Sequence, residues 1–240
     1  MAQGNSPQKI RFAPNGALYM APAPTDGGSS PSLPTTVGDG TTAPAGYQAL
    51  GYVDESGVTI TPTIETDPVP VWQSAVPVLY NVKSAAFQIK ATLMETSRLT
   101  TELFFGAEWK PVLDSEGEET GVYRLDLSST PDLREISLVV DWSQRDILNR
   151  CVIARAMVSD RGAIQLQRTE ANKYELTIDA LDHRGGLGYV LTNDDMLSSG
   201  ASAAQYSDLA PGETEEPPEP EGPGPAPDDG GEAGFLSLAA

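Results

Sequence analysis

The chain has 240 residues, with 34 acids against 15 bases and a formal net charge of −19. Residues 201–240 hold nine of the acids and no Lys or Arg, so 1–200 carry 25 acids and 15 bases and are acidic in their own right. Gripping nucleic acid needs clustered Lys and Arg to neutralise phosphate, so the composition excludes that class while allowing a protein that lets nucleic acid pass without holding it.

Glycine (23) and proline (20) make up about 18% of the chain, against a usual ~12%, which favours a turn-rich β protein with long loops. Ala17–Ala21 is a short apolar strand. Residues 24–46, rich in Gly, Pro, Ser and Thr, read as a long loop, and loops of that length inside a domain are often functional. Tyr47–Asp54 and Val58–Glu65 read as two strands joined by a hairpin turn at Glu55-Ser56-Gly57. In the second, Val58, Ile60, Pro62 and Ile64 face one way and Thr59, Thr61, Thr63 and Glu65 the other. Ala85–Met94 alternates too, with Phe87, Ile89, Ala91 and Leu93 opposite Ala86, Gln88, Lys90 and Thr92. Both read as half-buried strands with one polar face.

Between them, residues 65–78 contain Pro68, Pro70 and Pro77, which argue against a central strand. An apolar segment (Val69, Val71, Trp72 and Val76), with Gln73 beside Trp72 as a further interface candidate, is therefore expected in an extended, proline-stiffened loop. Either a partner subunit covers it or the loop folds back over its own sheet.

Thr96–Gly106 changes to a helical period, with Leu99, Leu103 and Phe104 on one stripe, Ser97 as cap and Gly106 as stop. Strands resume at Trp109–Leu113 and Gly121–Leu127 around an acidic turn, Asp114 to Glu119. Further strands are expected at Arg134–Ser143, Asn149–Val158, Ala163–Arg168 and Lys173–Leu181, the last two joined by a turn at 169–172. Eight to ten strands and one helix predict a mainly β fold, a β-sandwich or barrel-like domain over 1–200. Residues 201–240, with seven prolines among Gly and Glu, bury too little apolar surface to offset ordering entropy and read as a disordered acidic tail.

Signals for chemistry are sparse. One cysteine, Cys151, and one histidine, His183, exclude a disulfide framework and Cys- or His-rich metal sites. Cys151 lies in an apolar strand and reads as a small hydrophobe. Asp182 and His183 are adjacent on an expected strand end and so point apart, which is not the geometry of a catalytic dyad. Asp114 to Glu119 lacks the ligand spacing of a calcium loop. Trp109 and Trp142 sit in expected strands, where core packing is the default. No catalytic residue, cofactor or metal is expected, and the chain does not read as an enzyme. No run of 18 apolar residues suits a membrane helix. The first seven residues lack a signal peptide's apolar segment, so synthesis in a cytoplasm is expected.

Several phrases carry a resemblance. Gly16-Ala17-Leu18-Tyr19-Met20-Ala21-Pro22 precedes a Pro/Thr-rich loop with Leu33-Pro34. Leu50-Gly51-Tyr52-Val53-Asp54-Glu55-Ser56-Gly57-Val58-Thr59 follows. Trp72-Gln73, Leu103-Phe104-Phe105-Gly106 and the closing segments 151–168 and 173–182 complete the pattern. Over about 10–195 the chain resembles the major tail tube proteins of long-tailed bacteriophages, most closely those of non-contractile, siphovirus-type tails infecting actinobacteria. The resemblance implies a structural virion protein, made in the host cytoplasm. It implies self-assembly as hexameric rings stacked into a hollow tube, with other tail proteins such as tape measure and terminator as partners. It also implies an inner β-barrel shared between subunits, one helix outside it, and a loop reaching a neighbouring ring, which maps onto 65–78. DNA passes through such a tube without specific binding, and no membrane is involved. Thr59, Thr61, Thr63, Glu65, Gln88, Lys90 and Thr92 are then the lumen candidates, with Lys90 an awkward member for which pairing with an acid on an adjacent subunit is the alternative. The alternative is a monomeric β-sandwich that binds carbohydrate or another surface.

Overall fold

The computed structural model describes residues 7–24, 31–38, 41–130 and 133–197. The chain divides into a unit of residues 1–196 and a second of 197–240. All strands and the α-helix described below lie in the first. The tail expected over 201–240, and residues 25–30 and 39–40 of the loop 24–46, lie outside the described residues.

Ten strands and one α-helix form among those residues. They are β1 (Asn15–Pro22), β2 (Gln48–Ala49), β3 (Val53–Val71), β4 (Ser74–Leu93), α1 (Arg98–Phe105), β5 (Trp109–Leu113), β6 (Glu119–Leu125), β7 (Ile136–Gln144), β8 (Ile147–Arg161), β9 (Tyr174–Ala180) and β10 (Tyr189–Thr192). The main sheet is antiparallel, in the order β2-β1-β7-β8-β9-β4-β3, and β5 and β6 form a separate hairpin. β8 serves two neighbours along one edge: Asn149–Val152 takes β10 and Ala156–Arg161 takes β9. β7 runs along its other edge.

Directly opposed residues share a sheet face. One face collects Ile60, Ile89 and Ile178 from three adjacent strands, and Leu18, Val140 and Cys151 from three others. These apolar side chains pack in one cluster with Leu103 and Phe104 of α1. Strands from both ends of the sheet meet in this cluster, so the sheet folds over its own apolar face as a β-sandwich. The helix is set by its ends. Ser97 Oγ accepts from the Thr100 backbone N–H at 3.0 Å, and Gly106, at φ 66°, donates its N–H to the Glu102 carbonyl. Phe104 meets Tyr174 edge to face at 5.4 Å, tying α1 to the first residue of β9.

The opposite face of β1, β7 and β8 carries Tyr19, Val139 and Val152, covered by Tyr47 and by Leu33 and Ala43 of the long loop. Tyr189 donates from its hydroxyl to the Pro34 carbonyl at 2.6 Å, and Arg150 donates to the Thr36 carbonyl at 2.9 Å. The described part of the loop is thus laid over this face and fastened to it.

Three expectations are corrected. Glu55-Ser56-Gly57 is not a hairpin turn. Val53 faces Leu93 and Val58 faces Ala91, so Asp54–Gly57 bulge from one continuous strand. Asp54 accepts from the Ser56 backbone N–H and hydroxyl and pairs with Lys173 at 2.7 Å, which holds the bulge to the residue before β9. Ala163–Arg168 is not a strand, because β8 itself extends to Arg161 and takes β9 as its partner. Finally, 65–78 is not a loop. It is the far end of the β3–β4 hairpin, with its turn at Trp72-Gln73. The prolines fit there because β3 is an edge strand, and β4 gains β9 as a neighbour only from Gln88 onward.

Candidate functional site

Two surfaces carry the sequence-singled residues, and both are built by β3 and β4. The first is the arm these strands form beyond the sheet. From Pro62 to Val71, and from Ser74 to Phe87, each strand has only the other as neighbour. At ~3.3 Å per residue this arm extends on the order of 30 Å. An isolated two-stranded hairpin is marginal in water.

The apolar side of the sheet continues along the arm. Ile64 faces Ala85, Thr66 faces Val82 and Pro68 faces Tyr80. A bulge between the Glu65–Ser84 and Thr66–Val82 pairs keeps this alternation on one side. Here the apolar groups lack a cover: Ile64 is 66% exposed, Tyr80 61%, Val82 67% and Trp72 98%. The arm therefore does not fold back over its own sheet. Of the expected interface residues, Trp72, Gln73 and Val76 are exposed near the tip, while Val69 and Val71 are half-buried. The sequence reading missed Val78, Leu79, Tyr80 and Val82, all exposed on the second arm strand. Their signal was present, since 76–82 is an apolar run with one polar residue, but the prolines around it argued for a loop.

The second surface is the polar side of β3, β4, β9 and the end of β8. Thr59 faces Lys90 and Thr61 faces Gln88. Lys90, Gln88 and Thr92 in turn face Thr177, Asp179 and Glu175, and Thr177 faces Asp160. All the lumen candidates, Thr59, Thr61, Thr63, Glu65, Gln88, Lys90 and Thr92, fall on this one face, with Glu65 beside Ser84 toward the arm. Lys90 pairs with Glu175 of the same chain, so it needs no acid from another subunit. That hydrogen bond and charge raise its pKa above the ordinary lysine value and keep it protonated. Gln88 donates to Asp179 at 2.9 Å. Glu65, Asp160, Glu175 and Asp179 stand with Lys90 on this face, so this cluster is net negative. Sequence reasoning missed Asp160, Glu175, Thr177 and Asp179, because only the strand pairing brings them beside residues some 70–90 positions away.

The other singled residues do not converge. His183 opens a tight turn in which Arg184 (φ 55°) and Gly185 (φ 83°) reverse the chain onto Gly186. Cys151 is buried, and burial pushes its thiol up to about 11, away from nucleophilic use. Asp114 spends its carboxylate on the backbone N–H groups of Glu116 and Glu118 at 2.8 and 3.0 Å, which hold it below the usual carboxylate range and shape the β5–β6 turn. Trp109 donates its indole N–H to Thr101 at 2.8 Å, and Trp142 packs against the core. No group of three His, Cys, Asp or Glu side chains is placed to hold a metal among the described residues. No helix among them is long and apolar enough to cross a membrane.

The geometry is thus an uncovered apolar arm beside an acidic polar face. No curated protein matches the chain. A family model described as phage tail tube protein matches residues 3–204, most of its length. The chain belongs to the phage tail tube protein family.

Proposed function

We propose that this structural tail tube subunit assembles as hexameric rings stacked into a non-contractile tail, with the acidic face of β3, β4 and β9 lining the channel. The observation that carries this reading is the pairing of an uncovered apolar arm with an acidic polar face on which Lys90 is paired with Glu175. The arm needs another copy to cover it. The face suits passage of DNA, because a negative lumen repels phosphate and its Lys90 is held by Glu175 rather than offered for counterion-releasing contacts. Open strand edges also find neighbours in such an assembly, which removes the hazard they pose in a monomer. Tape measure and terminator proteins would meet the tube inside and at its end, and the genome would pass through without specific binding.

Negative-stain microscopy of the purified chain tests this reading. Hollow, ringed tubes are expected as concentration rises. A chain that stays monomeric at every concentration and salt, and that is missing from tails of virions, would overturn it. A monomer that instead binds glycans, and loses that binding with Trp72→Ala, would establish the surface-binding alternative.

A further inference from the structure

Trp109 belongs to neither of the two core clusters, unlike Trp142. It stands instead at an open groove of about 460 Å³ between the start of α1 and the β5–β6 hairpin, lined by Thr96, Ser97, Arg98, Thr101, Trp109 and Tyr123. The volume falls within the ~300–1,000 Å³ of sites that hold a bound group, and aromatic walls with a few fixed polar groups are the usual make-up of such sites. We propose that this groove binds a neutral oligosaccharide, with a pyranose ring laid against Trp109 and Tyr123.

The aromatic wall is built in advance. Trp109 faces Leu125 and Pro111 faces Tyr123, so Trp109 and Tyr123 are diagonal neighbours on one side of the hairpin, ~7–8 Å apart. Trp109 is held at three points. Its indole N–H donates to Thr101 Oγ1 at 2.8 Å, its backbone N–H donates to Glu102 Oε1 at 3.0 Å, and its carbonyl accepts from Arg98 Nη2 at 3.1 Å. The residue is nevertheless only half-buried, and Tyr123 is 56% exposed. An aromatic side chain held in place yet open to water offers apolar area at little ordering cost.

The charge balance selects a neutral ligand. The six lining residues include no acid, in a chain of net −19, so a cation finds no carboxylate among them. Arg98 donates from Nε to Glu102 at 2.8 Å, so its charge is already matched and an anion finds no unpaired cation. The hydroxyls of Thr96, Ser97 and Thr101 are engaged by Tyr174, Thr100 and the Ser97 carbonyl. Arg98 Nη1 and the Tyr123 hydroxyl have no partner among the described residues. A wholly apolar ligand would strip water from these two groups without replacing its hydrogen bonds. A sugar meets both demands: its C–H face covers the rings, while its hydroxyls accept from Arg98 and exchange a hydrogen bond with Tyr123. Neither the β3–β4 arm nor the acidic face takes part.

The test titrates the purified full-length chain with linear hexasaccharides of glucose, mannose, galactose and N-acetylglucosamine, followed by tryptophan fluorescence and saturation-transfer NMR. At least one is expected to bind. Tyr123→Ala is expected to weaken that binding roughly tenfold or more, and Tyr123→Phe to keep most of it. The Tyr123 side chain is exposed and holds no other residue, so circular dichroism of both variants is expected to match the parent. Trp72→Ala is expected to bind as the parent does. Failure of all the hexasaccharides to bind at millimolar concentration overturns the proposal. So does binding that survives Tyr123→Ala or is lost with Trp72→Ala. A proline-rich peptide that binds the groove in place of every sugar overturns it too.

Discussion

Arg150 and Asp141 form a two-point ion pair on the loop-covered face of β7 and β8, with Nε and Nη2 donating to the two carboxylate oxygens at 2.7 and 2.6 Å. Both side chains are nearly excluded from solvent, at 4% and 7% exposed. The third guanidinium nitrogen reaches the Thr36 carbonyl, so the pair is also the post to which the long loop is tied. Gly38, at φ 69°, approaches so closely that a Cβ there would lie 2.8 Å from Arg150 Nη2.

Removing one member of this pair leaves an uncompensated buried charge. Asp141→Ala is expected to destabilise the unassembled chain by about 3–5 kcal/mol in urea unfolding. Replacing both residues by apolar ones, Asp141→Leu with Arg150→Met, is expected to recover most of the loss. A single replacement that costs under ~1 kcal/mol would mean that water reaches the pair.

Asp54 gives a pH-dependent counterpart. The Lys173 hydrogen bond, aided by the Ser56 backbone and hydroxyl, lowers its pKa to about 2. A carboxylate depressed on folding stabilises the fold above its unfolded value, ~3.9, and loses that contribution as pH falls through the folded value. Asp54→Asn is therefore expected to be less stable than the parent by a constant margin above pH ~5, with the two converging near pH ~2. A margin that persists unchanged at pH ~2 would show that the ionised carboxylate is not what holds the bulge.

Local signals in the sequence were reliable where local physics decides. Ser97 and Gly106 bracket α1 as their capping chemistry requires, and the alternation of Phe87, Ile89, Ala91 and Leu93 places these side chains on the core side. Errors arose where distant partners decide. Glu55-Ser56-Gly57 has turn chemistry, and Gly57 does adopt φ 72°. The strand nevertheless runs straight on, because Lys173, more than a hundred residues away, clamps Asp54. Pro68, Pro70 and Pro77 rule out a central strand, as the sequence reading held, but not two strands whose outer edges are both open. The polar candidates of β3 and β4 were legible from alternation alone. Their acidic neighbours on β9 required the register.

Trp72→Ser separates folding from assembly. Trp72 is almost fully exposed, so its loss is expected to change the unfolding free energy of the unassembled chain by no more than ~0.5 kcal/mol. Tube formation, followed by sedimentation, is expected to fail or to need a much higher concentration. Normal assembly of this variant would remove the arm tip from the interface.

Positive charge on the polar face is expected to act on DNA rather than on the subunit. Thr61→Lys with Thr63→Lys places two ammonium groups on exposed positions of the face proposed to line the channel. Virions carrying both are expected to release DNA more slowly at low salt and to recover as salt rises, since phosphate contacts weaken steeply with salt. Release that is unchanged at every salt concentration would place this face outside the channel.

An electron-microscopic reconstruction of the assembled tube at side-chain detail tests the account most directly. It is predicted to show sixfold rings with Thr59, Thr61, Gln88, and the Lys90–Glu175 pair facing the central channel. Density that puts these residues on the tube's outer surface, or that shows no channel at all, would contradict it.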